Sequence, residues 1–181
     1  MPTIILIVII SPLYCHPRHL LKSKIDAMFV LNYKQNYKLT VNIMTQINAY
    51  IGFNGQCREA MEFYKECIGG DLTFQTIGES PIAGQCPEGI QGQILHSSLT
   101  KGPLLLMATD MAGPGGYAKG NNVALSLNCS SEEEINTFFA KLSVEGKILD
   151  SLKVSFWGSL FGCFSDKFGI AWMLNYDKNQ Q

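Results

Sequence analysis

Beyond Met44 the sequence holds one histidine, His96, and five cysteines, Cys57, Cys67, Cys86, Cys129 and Cys163. Imidazole titrates near neutrality, so a His96 turned into an open cavity can accept a proton or anchor a ligand. The competing role is a histidine hydrogen-bonded to a neighbouring strand. The odd cysteine number and the lack of any Cys-x-x-Cys pair argue against a zinc knuckle and against a disulfide framework. A nucleophilic cysteine wants an imidazole beside it, and Cys163 meets His96 only if both strands point into the same cavity. Buried structural thiols are the expected role, Cys57 and Cys67 on a helix.

Two further groups invite a chemical reading. Phe156, Trp157, Phe161 and Phe164 concentrate aromatic surface in one stretch. They either line a pocket for a flat or apolar ligand or fill core and dimer contact, with packing expected for most. Gly113, Gly115 and Gly116 follow an apolar run, as a cofactor loop would. A strand rather than a helix is expected after them, so no helix N-terminus is available to hold a cofactor's polar end, and the run reads as a linker.

Charge divides the chain into two regimes. Residues 1–43 carry five basic residues against Asp26 alone, whereas the remaining 138 carry nine basic against fourteen acidic. All 17 glycines lie after Met44, although about three would be expected in the first 43 at ordinary frequency. The whole chain is near neutral, which speaks against a nucleic-acid partner held by counterion release. Ile4–Ile10 is apolar but stops at Ser11 and Pro12, short of the roughly 20 residues that cross a bilayer. A signal peptide would place a basic residue before that run and small residues after it. Leu20, Leu21, Ile25, Met28 and Phe29 have the spacing of a short amphipathic helix. Residues 1–43 are read as a poorly ordered extension upstream of a natural start at Met44, and a cytoplasmic protein with no membrane partner is expected.

The elements that position His96 and the cysteines repeat. Ile47, Ala49, Ile51 and Phe53 alternate with polar or small residues, the period of a half-buried strand. Cys57, Ala60, Met61, Tyr64, Cys67 and Ile68 recur at helical spacing before Gly69-Gly70. Strands over Leu72 to Gly78, Gln93 to Leu99 and Pro103 to Thr109 follow, the last two turned by Lys101-Gly102. Val123, Leu125 and Leu127 then restart the pattern. Ser131 and Glu134 form a capping box before Ile135, Phe138, Phe139 and Leu142, and strands over Lys147 to Val154, Ser159 to Ser165 and Gly169 to Tyr176 close the second half. The order βαβββ occurs twice, an α+β chain with module one over 46–111 and module two over 120–177.

With both halves in view, residues 44–181 resemble the vicinal oxygen chelate superfamily of glyoxalases, bleomycin-resistance proteins and extradiol dioxygenases. Within it they are most similar to the PhnB-like group, also labelled a demethylubiquinone methyltransferase-type domain. The resemblance rests on Phe53 to Tyr64, on His96, on Thr109-Asp110, and most specifically on Ser165 to Asn175. It implies two βαβββ modules whose curved sheets enclose a cup, with helices on the convex side. Ala49, Ile51, Phe53, Val123, Leu125, Leu127, Ile170, Trp172 and Leu174 would then face the helices.

Metal-dependent members place four ligands on the first and last strands of the modules, and strand-to-strand matching puts those positions at Asn48, Met107, Asn122 and Met173. Two amides and two thioethers offer no anionic or imidazole donor, so no metal and no other cofactor is expected. The resemblance implies a small molecule bound in the cup, in the manner of bleomycin-resistance proteins, with Asn48, Tyr50, His96, Asn122, Ser126, Trp157, Met173 and Asn175 as candidate contacts. The alternative it leaves is a glyoxalase-type lyase, isomerase or dioxygenase with ligands in another register; the methyltransferase label implies little about activity. Two-module chains of this kind commonly pair, so a homodimer is expected.

Overall fold

Period-two runs in this chain become strands because alternate residues meet a helix-covered core on one face only, and the helical runs supply that cover. The computed structural model describes residues 45–178 apart from 112 and 114. The amphipathic helix expected near Leu20, and the extension as a whole, lie outside the described residues. Module one runs β1 (Ala49–Gly52), α1 (Cys57–Ile68), β2 (Asp71–Thr76), β3 (Ile94–Lys101) and β4 (Leu104–Thr109). Module two runs β5 (Leu125–Asn128), α2 (Glu132–Leu142), β6 (Lys147–Val154), β7 (Leu160–Ser165) and β8 (Ala171–Tyr176). Two short 3-10 turns, Ala83–Gln85 and Glu88–Ile90, shape the long loop of the first module.

Each module forms a four-stranded mixed sheet, in the orders β1-β4-β3-β2 and β5-β8-β7-β6. The first and last strands of a module pair in parallel and the others antiparallel. This is the twice-repeated βαβββ architecture expected of the sequence, and its sheets curve without closing on one another.

Both modules contribute to one buried cluster on the helix side of the sheets. From α1 it takes Cys57, Ala60, Met61, Tyr64, Cys67 and Ile68, and from α2 Ile135, Phe138, Phe139 and Leu142. Phe139 sits over β7 at Gly162, where a Cβ would come within 2.6 Å of its ring. Only glycine lets helix and strand approach that closely.

Three local expectations change, and one open alternative is decided. The strand read from Val123 begins only at Leu125, because among the described residues β8 is its sole partner and their ladder starts at the pair Leu125 and Trp172. Val123, expected against a helix, is therefore exposed. For Phe164 the core role, one of the two expected, is the one taken: it alternates with Cys163 and falls on the core face, 0% exposed, with its ring 5.2 Å from that of Phe139. The cap of α2 is also looser than a capping box. Ser131 Oγ accepts the Glu134 backbone N–H, but Glu134 reaches back one residue further, to the N–H and hydroxyl of Ser130.

Candidate functional site

The face of each sheet turned away from the helices carries the candidate residues. In β3 the ladder slips at one place: Gln75 lies opposite His96 and Thr76 opposite Ile94, so Leu95 is an inserted residue. Such a bulge reverses which way the preceding side chain points. Ile94 is buried in the core while His96 stands on the open face.

There His96 Nδ1 shares a hydrogen bond of 3.1 Å with the Tyr50 hydroxyl, and the two rings lie 5.7 Å apart. Thus β1 and β3, separated by β4, are tied by a side-chain pair across the open face. Met107 lies directly beside Tyr50 on β4, and Ser98 beside Met107 on β3. On the second sheet Ser126 lies beside Met173, which lies beside Cys163; Asn128, Asn175 and Phe161 form the next rung.

This pairing revises the level of the positions expected to correspond to metal ligands. Tyr50, not Asn48, stands level with Met107, and Ser126, not Asn122, stands level with Met173. Asn48 and Asn122 precede their strands. In either register the donors are amides, a phenol, a hydroxyl and two thioethers, a set too weak to compete with water for a divalent ion. The residues do not fit the superfamily's metal. Among the described residues there is no group of three or more His, Cys, Asp or Glu placed to hold one.

The eight candidates fall into several places. Tyr50 and Asn122 line a cleft of about 550 Å³ between β1, the linker from Tyr117 to Val123 and the start of β8. Asn48 and Ser126 line a second cleft of about 510 Å³, between the beginnings of β1 and β4 and strand β5. His96 reaches the first cleft only through Tyr50. Met173 and Asn175 lie on the open face of β8, and Trp157 packs edge-on against Phe156 and Phe161 in a ridge at the β6–β7 hairpin. Phe156 is 98% exposed and Trp157 52%.

Cys163 and His96 lie on different sheets, the thiol beside Met173 and the imidazole against Tyr50. The buried cysteines are chemically quiet: burial pushes the Cys57 and Cys67 thiols of α1 up to about 11 and that of Cys129, just after β5, up to about 12. Little thiolate exists there at neutral pH.

Two carboxylates explain the most distinctive stretches of sequence. Asp110, just after β4, accepts the backbone N–H of Cys57 at 2.9 Å and that of Ile94 at 3.0 Å. It thereby holds the N-terminus of α1, where a negative charge is favourable, and pins the bulge that aims His96. Asp166 accepts four hydrogen bonds: from the N–H groups of Phe168 and Ile170, from the Tyr64 hydroxyl and from the Trp172 indole. The runs Thr109-Asp110 and Ser165 to Asn175 thus owe their character to positioning. Sequence reasoning did not single out Lys119, which lines the first cleft. It lies in a glycine-rich linker with no periodic pattern to mark it.

The family comparison agrees with this architecture. Residues 46–174 match the model of the Glyoxalase/Bleomycin resistance protein/Dioxygenase superfamily. Protein YjdN of Escherichia coli strain K12 is 32% identical over 143 residues, covering 74% of this chain and 97% of the relative. The crystal structure of protein PA1353 from Pseudomonas aeruginosa is 36% identical with a TM-score of 0.66, covering 74% of this chain and 98% of that one. The PhnB protein from Bacillus cereus is 26% identical with a TM-score of 0.58, covering 74% and 100%. Two βαβββ modules, the matched residues and these relatives lead to one conclusion: the chain belongs to the glyoxalase/bleomycin resistance protein/dioxygenase superfamily.

Proposed function

We propose that this protein binds a small organic molecule on the open faces of its sheets without a metal ion. The observation that supports the reading is the donor set: Tyr50 lies beside Met107 and Ser126 beside Met173, and Met107 and Met173 are positions that the resemblance matches to ligands of metal-dependent members. Phenol, hydroxyl and thioether groups suit hydrogen bonding and dispersion contact with an organic ligand rather than Lewis-acid chemistry. His96 and Tyr50 supply a linked polar pair that orients such a ligand.

The same reading pairs two chains. The sheets do not close on one another within one chain, and an exposed ridge of Phe156 and Trp157 is costly to leave in water. A two-fold partner covers both, and the protein works as a homodimer in the cytoplasm. Among the described residues no helix is long and apolar enough to cross a membrane.

Native mass spectrometry of the full chain purified from cells, together with elemental analysis, tests the proposal. The expected result is a retained organic ligand, or binding of added organic compounds, with no stoichiometric Zn, Ni, Mn or Fe. About one tightly held metal per chain after dialysis would overturn it in favour of glyoxalase-type chemistry.

A further inference from the structure

Among the described residues, the cleft between β1, the linker and β8 has a single charged residue in its wall, Lys119. Its placement is specific. The Lys119 ammonium donates a 2.8 Å hydrogen bond to the Phe168 carbonyl. Its side chain lies across Gly169, where any Cβ would collide with Nζ and where φ is +78°. The turn between β7 and β8 therefore needs glycine for its backbone, whereas the flexible end of the lysine could move aside for a Cβ.

That bond uses one of three ammonium hydrogens, and among the described residues Lys119 has no acidic partner within ion-pair distance. Asp166, the acid of the same turn, has its carboxylate occupied by four donors. The other described residues of the wall are uncharged, among them the polar Tyr50, Asn122 and Ser165 and the apolar Ile51, Val123 and Ile170. One anchored cation in a wall that also holds apolar side chains is a pattern that suits an amphipathic anion of single charge.

We propose that this cleft takes a small monocarboxylate, its anion on Lys119 and its hydrocarbon body against Ile51, Val123 and Ile170. This deepens the small-molecule reading and rests on it. A dianion would find only one cation, and a cationic ligand would meet a like charge. The volume of about 550 Å³ accommodates a chain of several carbons.

Isothermal titration calorimetry on the full chain, in the presence of EDTA, with hexanoate, 1-hexanol and hexylammonium as probes, tests it. Hexanoate is expected to bind saturably, with affinity about tenfold weaker for 1-hexanol and for hexanoate on Lys119→Gln, the loss of one charge-assisted contact. Lys119→Arg should retain the affinity, and hexylammonium should give no saturable heat. Backbone amide shifts on adding hexanoate should concentrate in residues 117–123 and 169–171. Equal hexanoate affinity in Lys119→Gln, equal binding of hexanol, no saturable heat with hexanoate, or shifts centred elsewhere would each overturn the inference. The broader reading is judged separately, by metal content and retained ligand, so the two failures are distinguishable.

Discussion

The Tyr64 hydroxyl on α1 donates a 2.7 Å hydrogen bond to Asp166 Oδ2, 102 residues further along the chain. It joins the helix of one module to the last hairpin of the other. Trp172 donates to the same oxygen, and its ring packs edge-on against Tyr64 at 5.4 Å. Asp166 is 4% exposed, so its charge is stabilised by donors rather than by water. Burial first, then the carboxylate beside it, pushes the Tyr64 phenol far above its ordinary range, so it remains a donor at any working pH.

Cutting this node should cost more from the acceptor side than from the donor side. Tyr64→Phe leaves Asp166 three donors and should destabilise by about 1–2 kcal/mol, whereas Asp166→Ala strands a buried hydroxyl and indole and should cost about 3 kcal/mol or more. Denaturant unfolding of both variants checks the order, and equal small losses would show that the node contributes little.

Glu134 gives a pH signature. Its carboxyl is held below the usual carboxylate value, chiefly by the Ser130 backbone N–H and then by the Ser130 hydroxyl and Lys101, against a smaller opposing effect of burial. A depressed folded-state pKa stabilises fully above the unfolded value of 4.5, and that contribution fades as pH falls through the lower folded value. Glu134→Gln should thus cost up to about 1 kcal/mol at pH 7 and nearly nothing near pH 2. Thermal melts across that window decide it.

Thiol chemistry should divide the cysteines by burial. In a Cys15→Ser background, Ellman's reagent at pH 8 should label Cys86 and Cys163, which are partly exposed, while Cys57, Cys67 and Cys129 react only on unfolding. More than two fast thiols in the native protein would contradict the burial of Cys57 and Cys67 on α1 or of Cys129 after β5.

Light scattering at micromolar concentration should give twice the 20.0 kDa chain mass. Replacing Phe156 and Trp157 together by Ser should shift the protein toward a single-chain mass with little loss of monomer stability, since both are largely exposed. A wild-type mass near 20.0 kDa would refute the pairing.

Much of this was legible in one dimension. Ala49, Ile51, Leu127, Trp172 and Leu174 face the core as their alternation required, and α1 buries the residues its spacing selected, because periodicity records which face of an element meets water. Tyr50, Ser126 and Met173 were likewise assignable to the open face. What only the tertiary structure decided was pairing. Whether Asn48 or Tyr50 stands beside Met107, and where β5 begins, depend on which backbone groups find partners on another strand. The same holds for the roles of Asp110, Asp166 and Lys119. Their partners are a helix end, a ring pair and a carbonyl brought close only by the fold, and no local pattern in the chain encodes a contact between residues as distant as Tyr64 and Asp166.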